Sequence, residues 1–505
     1  MTVPVALISP AGESNLERKQ SLMKALLFVG MSMLTVMIHA YLVAVFGAVG
    51  FVWFVGVTAL SLFVSWEFAF ALLVTLFFLQ NAFIALASPA ISDPAHFTPL
   101  QGTSFLAVCM MSLIAVPVWQ RMRRLVPPQS SRFLYWMLIF IAIVLVYSVW
   151  GAAQTSIPGV LTYTRVYLVG ALMLAIGIAM GFQLRISYVV SVIRIIAVML
   201  VVWGLLEFFF TEWLYTIFNL VDFLHLEYSK SSDPESLGTL RDIIATGSSS
   251  YLNLSGSFGL DLIIIRLKGP NIHPISYAYG LAFCAMICFI YRYHFLLVAT
   301  LFIMTLVGAK GPLLMILVPL MAYPFYLRTS DIGFFVRWLT VIMIAYIVIV
   351  IYYGTVSGDY HIIGLLGGIK GFFKNPIGHG VGMGGNLSNL ALTQANFDFF
   401  QNFGADFALE SAIGVMLYQV GVGSLVFFAF YRQVTRTVWQ AMRALPGEPR
   451  LVAVPIALSV LFVNGLFQEE ALSPEGWGIM FLFVGLLISR YWYSLLPSEP
   501  EANKA

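Results

Sequence analysis

Long apolar runs alternate with short polar stretches along the whole chain. A helix needs roughly 20 apolar residues to cross a bilayer, because the hydrocarbon core is about 30 Å thick. Runs of this kind fall near 23–41, 43–62, 67–87, 102–119, 133–150, 160–182, 187–211, 273–291, 295–309, 311–327, 338–354, 406–430, 451–468 and 476–493. The first pair and the pair around Lys310 are short, so the pattern predicts an all-α polytopic membrane protein of about 12–14 helices. No soluble domain, low-complexity segment or internal repeat breaks the pattern, and 1–505 reads as one integral membrane domain. A polar lead, Glu13 to Gln20, enters the first run without an A-x-A cleavage pattern, so a retained first span is expected.

Composition agrees. Hydrophobic residues make up 60% of the 505 and charged residues 10%, where a soluble domain carries about 25% charged. The net charge of +3 says little, because in a membrane protein the placement of charge outweighs its sum. Cys109, Cys284 and Cys288 sit in apolar runs with neither disulfide nor metal-ligand spacing. No His/Cys/Asp set has metal spacing, and no nucleic-acid partner is indicated.

Charge placement sets an orientation. The basic connections are QRMRRLVPPQSSR (120–132), RTSDIGFFVR (328–337) and RQVTRTVWQAMRALPGEPR (432–450). With these in the cytoplasm, the spans alternate without conflict and both termini lie inside. The polar stretches 88–101, 212–272 and 355–405 then face outward, and the last two are long enough to be functional. The outer cations are Lys230, Arg241, Arg266, Lys268, Lys310, Lys370 and Lys374.

Three cations approach the outer membrane edge from distant parts of the chain. Arg165, in TYTRVYLVG, lies about one turn inside its span between Tyr163 and Tyr167. It either snorkels to headgroups or serves an anion site inside the bundle. Arg194 sits near an inner helix end, where snorkelling suffices. Lys310 stands at a helix start in LVGAKGPLLMIL, against the helix dipole. Arg266 precedes the break Gly269-Pro270 and the helix start at Asn271 or His273-Pro274. Together Arg165, Arg266 and Lys310 suit a polyanion such as pyrophosphate.

Four segments in order carry a family resemblance. They are RLKGPNIHPISYAYG (266–280), Ala309-Lys310-Gly311, NPIGHGVGMGG (375–385) and ESAIGVMLYQVGVGSLVFF (410–428). Over about 160–430 the chain resembles the O-antigen polymerase and O-antigen ligase family, the Wzy/WaaL type, in its exopolysaccharide-polymerase branch. That family usually has Arg where Lys310 stands. Its ligases place His-Asn where Glu410-Ser411 stands, so this departure favours a polymerase.

The resemblance implies a GT-C-like, metal-independent glycosyltransferase without cofactors, in a bacterial inner membrane with its active site facing the periplasm. Its substrate would be an undecaprenyl-pyrophosphate-linked oligosaccharide. Further partners would be the lipid bilayer, a chain-length regulator and a flippase. Arg165, Arg266 and Lys310 would then hold the pyrophosphate. Glu410 would act as base on the acceptor hydroxyl, with His379 the second candidate. Glu410 opens a helix, where a carboxylate is also favoured by the dipole alone. The alternatives are a ligase that moves the finished glycan to another lipid, and a transporter of lipid-linked sugars.

Other segments attract less chemistry. GHGVGMGG has neither the strand before it nor the Lys-Ser/Thr after it of a nucleotide P-loop, so it reads as a turn lining the outer cavity. FDFFQNF (397–403) reads as an interfacial aromatic belt, and Gln468-Glu469-Glu470 as a solvated outer turn.

Overall fold

A computed structural model of the chain describes residues 14–123, 128–228, 240, 244, 248–250, 263–329, 331–388, 408–445 and 448–495. Lys230, Arg241 and the aromatic segment 397–403 fall outside these residues. In lipid a backbone must satisfy its own polar groups, and the apolar runs accordingly fold as helices. The chain is an all-α, multi-pass membrane protein. Among the described residues, nine helical segments are long and apolar enough to cross a membrane, or ten if the bent pair Pro94–Gln101 and Thr103–Val118 forms one span. The larger number expected from the runs included shorter pieces, such as Pro274–Ile290 and His294–Val307.

The first three helices are α1 (Asn15–Phe46), α2 (Gly50–Val64) and α3 (Trp66–Ala87). Ser14 and Glu17 form a capping box at the start of α1. Gly47, at φ +58°, ends it. Lys24 Nζ lies 3.5 Å from Glu67 at one end, and Tyr41 Oη donates to the Leu86 carbonyl at the other. Helices α1 and α3 therefore run parallel, and α2 returns between them.

Next come α4 (Phe97–Gln101), α5 (Thr103–Arg123), α6 (Pro128–Ala152), α7 (Ile157–Gly181), α8 (Ile186–Phe209), α9 (Thr211–Ile217) and α10 (Leu220–Tyr228). Strands β1 (Ser248–Ser250) and β2 (Ile263–Ile265) pair antiparallel, with Ser248 opposite Ile265. Then follow α11 (Pro274–Ile290), α12 (His294–Val307), α13 (Lys310–Arg328), α14 (Ile332–Ser357), α15 (Tyr360–Lys374), α16 (Ala412–Val420), α17 (Ser424–Ala444), α18 (Ala453–Phe467) and α19 (Ile479–Leu495).

The two long stretches expected as loops thus carry structure: α9, α10 and the strand pair in 212–272, and α15 in 355–405. The basic stretch 432–450 is also not a loop throughout. Helix α17 continues to Ala444, so Arg432, Arg436 and Arg443 stand on a helix.

Glycines let helices touch where the site is built. A Cβ on Gly177 of α7 would lie 2.1 Å from the Leu482 carbonyl of α19, and one on Gly170 would strike the Trp477 ring. This small-residue contact holds α7 and α19 backbone to backbone. A Cβ on Gly368 of α15 would lie 2.3 Å from the Gly414 carbonyl of α16, so those two helices are equally close.

The bundle has two unlike ends. At one, Arg185 pairs with Glu17, Arg490 donates to the Leu184 carbonyl and Arg450 to that of Phe289. At the other, Asn81 donates to the Asn271 carbonyl, Asn464 to that of Gly311 and Ser411 to that of Leu466. All five candidate residues named from the sequence are on elements that meet at or near this second end.

Candidate functional site

A cavity of about 400 Å³ occupies the second end. Its wall includes Arg165 of α7, Asn271 and His273 before α11, and Glu469, Glu470 and Glu475 between α18 and α19.

The stretch RLKGPNIHP is folded by a carboxylate far from it in sequence. Glu207 of α8 is fully buried and accepts the backbone N–H groups of Lys268 and Gly269 at 2.7 and 2.8 Å. Tyr215 Oη donates to it as well, at 2.8 Å. Gly269 has φ +65°, and a Cβ there would strike the Tyr277 ring, so the turn requires glycine. Lys268 is directed toward the Tyr215 ring, 6.0 Å from its centroid. Asn271 Nδ2 donates to the Phe77 carbonyl and to Glu475 Oε1 at 3.2 Å. His273 caps α11 by accepting the Ser276 N–H. The stretch is therefore a scaffold that ends in cavity-lining groups.

Gln468-Glu469-Glu470 is not the solvated turn expected from the sequence. Glu469 is 5% exposed. It accepts a hydrogen bond from Tyr163 Oη and one from the Asn386 backbone N–H at 3.1 Å. Burial pushes its carboxyl up to about 8, against the opposing Tyr163 hydrogen bond. Burial also raises Glu470 and Glu475, with Arg266 and Arg165 respectively pulling the other way. The turn is driven inward by Trp477, which is fully buried and donates Nε1–H to the Val166 carbonyl at 3.1 Å. A sequence signal existed: three carboxylates within seven residues, hemmed by Gly, Pro and Trp between two apolar runs.

Arg165 projects from α7 toward the same space. Its Nη1 donates to the Gln101 carbonyl at 3.2 Å, while its buried Nε has no partner. Arg266 sits beside the cavity, with Nε donating to the Val307 carbonyl at 3.2 Å. Its charge reaches Glu470 and His273. Lys310 opens α13 three residues after Val307, but it is exposed and takes no part in the cavity wall. Of the three expected cations, Arg165 is in the cavity wall, Arg266 lies beside it, and Lys310 is exposed outside it.

Glu410 has a partner that the sequence did not reveal. His361, near the start of α15, places Nδ1 3.2 Å from Glu410 Oε2. The His361 imidazole beside it holds the Glu410 carboxyl below its usual range despite partial burial. Burial alone would lower the His361 imidazole, but the Glu410 carboxylate beside it outweighs that and raises it. Ser411, not Glu410, caps α16, accepting the Gly414 N–H at 2.9 Å. Glu410 itself has φ +56°, a strained conformation for a non-glycine residue.

His379 is placed elsewhere. Its ring stacks on Tyr418 at 4.0 Å, and its backbone N–H and Nδ1 both meet the Tyr418 carbonyl. Tyr418 lies eight residues beyond Glu410, about 12 Å along a helix. The glycine-rich loop runs alongside α16, from Gly380 bonded to Gln419 to Gly385 bonded to Ala408. It lines α16 and delivers Asn386, while His379 anchors its far end.

Among the described residues, no group of three or more His, Cys, Asp or Glu side chains is placed to hold a metal ion. No protein-family model matches the chain, and no curated protein matches it.

Proposed function

We propose that the chain is a membrane glycosyltransferase of the O-antigen polymerase type. It would join undecaprenyl-pyrophosphate-linked oligosaccharide repeats by transfer to an acceptor sugar hydroxyl. The observation that carries this reading is Arg165: a half-buried guanidinium with an unpaired Nε, in the wall of a cavity whose carboxyls are raised by burial. Burial works against the charged form of these three acids, which weakens their repulsion of an anionic leaving group. Exposed arginines at the opposite end favour a cytoplasmic side there, which turns the cavity outward, to the periplasm in a bacterial inner membrane.

In the transfer, the Glu410 carboxylate takes the proton of the acceptor hydroxyl, and the freed oxygen attacks the anomeric carbon. The bond from that carbon to the pyrophosphate oxygen breaks, and the pyrophosphate leaves with the electron pair. Arg165 and Arg266 stabilise the charge that develops there. His361 orients Glu410 and keeps it ionised.

A second reading, the ligase, gains from His361. The ligase slot in the sequence lacks a histidine, yet the fold brings one to Glu410. Purified protein in liposomes separates the two. Given a lipid-linked repeat alone, a polymerase makes longer chains on the carrier. A ligase makes product only when a second acceptor lipid is added. If neither product forms and labelled repeat crosses the bilayer, both readings fail and a transporter stands.

A further inference from the structure

A second cavity, of about 750 Å³, lies away from the site, between α14 and α17. Val336, Met343 and Trp439 are among its walls, and Ser459, Phe462 and Val463 of α18 form its floor. Helix α14 stands off the bundle: only 17% of its most apolar window is buried. The groove therefore opens on the outer surface of the bundle, beside an apolar helix long enough to cross a membrane. Its size falls within the range of small-ligand sites.

One edge of this groove is cationic. Arg432, Arg436 and Arg443 line it, and all three are exposed. At offsets of four and eleven residues they form one stripe on α17, because eleven residues make close to three helical turns. Among the described residues, none of the three has an ion pair or side-chain hydrogen bond. Asp331, which caps α14 near the groove, is engaged by Arg337 at 3.9 Å. An unneutralised guanidinium stripe along an apolar groove is unfavourable until an anion meets it.

We propose that this groove binds an anionic glycerophospholipid. Its phosphate would lie against Arg436 and Arg443, and an acyl chain would run along Trp439, Phe462 and Met343. Basic pockets between membrane helices recognise such headgroups. Free phosphate would satisfy the arginines but leave the apolar channel unfilled, so a lipid matches both halves of the groove. The proposal does not depend on the glycosyltransferase reading.

Native mass spectrometry of the purified full chain, titrated with phosphatidylglycerol or phosphatidylcholine, tests it. The wild type should hold phosphatidylglycerol in preference to phosphatidylcholine. The triple variant Arg432→Gln/Arg436→Gln/Arg443→Gln should bind it about a hundredfold more weakly. The triple lysine variant should keep most of the affinity. Thr340→Trp, which fills the groove and leaves the arginines intact, should lose it. If the glutamine variant does not fold, the lysine variant and Thr340→Trp decide. The proposal is overturned by equal binding of the two lipids or by unchanged binding in Thr340→Trp. Competition by inorganic phosphate as effective as that by the lipid, or a second copy of the chain covering the groove, overturns it too.

Discussion

The two ends of the bundle hold their charges in opposite ways. At the cavity end, Glu469 is buried, Arg165 is half-buried with an unpartnered Nε, and Glu410 lies 3.2 Å from His361. At the other end, Lys24 and Arg185 are exposed, with loose partners at 3.5 and 3.6 Å. Enclosing a charge is costly unless it is compensated or used. Exposed charges near headgroups cost little and orient the chain. The first arrangement is the one the proposed transfer would use, and the second would set sidedness.

The largest expected effect is at Glu410. Glu410→Gln keeps the shape and removes the base, so chain extension in liposomes should fall about 10²–10⁴-fold. A rate near wild type would leave the proton with another acceptor. Arg165→Ala comes next, with a loss of about 10²–10³-fold for a removed charge stabiliser. Arg194→Ala, an arginine near the basic end that lies 5.2 Å over the Tyr293 ring, should stay close to wild type. Reversal of those two results would erase the contrast between the ends.

His361→Ala should act more mildly on rate, and it should change the pH profile of thermal stability. The folded value of His361 is raised, so its stabilising contribution is full below the ordinary 6.5 and is lost as pH rises through the raised value. The folded value of Glu410 is lowered, so its contribution is present above the ordinary 4.5 and is lost as pH falls through the lowered value. Between those limits the ion pair is intact. The variant should lose the alkaline decline that His361 imposes; an unchanged profile would argue against the pair.

Gly385→Ala tests the scaffold. Gly385 has φ +84°, and a Cβ would lie 2.0 Å from Tyr163 Oη, the donor to Glu469. Destabilisation of roughly 1–3 kcal/mol is expected, read as a lower Tm. The smallest effect belongs to the exposed end: Lys24→Ala should change stability by less than about 1 kcal/mol.

Much of the fold was legible in the apolar runs, because a lipid environment leaves the backbone few choices. Arg165 stood out in the sequence because few cations interrupt the apolar runs. Other parts were not. Helix α15 hid in a stretch read as loop, because it is glycine-rich and its glycines serve contact with α16. Glu469 looked solvated because its partners Tyr163 and Asn386 are 306 and 83 residues away.

The sequence by itself determined the class of molecule, most of its spans, and the rarity of cations such as Arg165, which lines the cavity. These follow from composition and from charge along one dimension. Only the tertiary structure decided which groups face one another. Glu410 meets His361 because Gly364 and Gly368 let α15 lie against α16. Glu207 folds the turn at Gly269 from 62 residues away. Burial and contacts between segments distant in sequence shift the titration of the acids, and no local pattern encodes them.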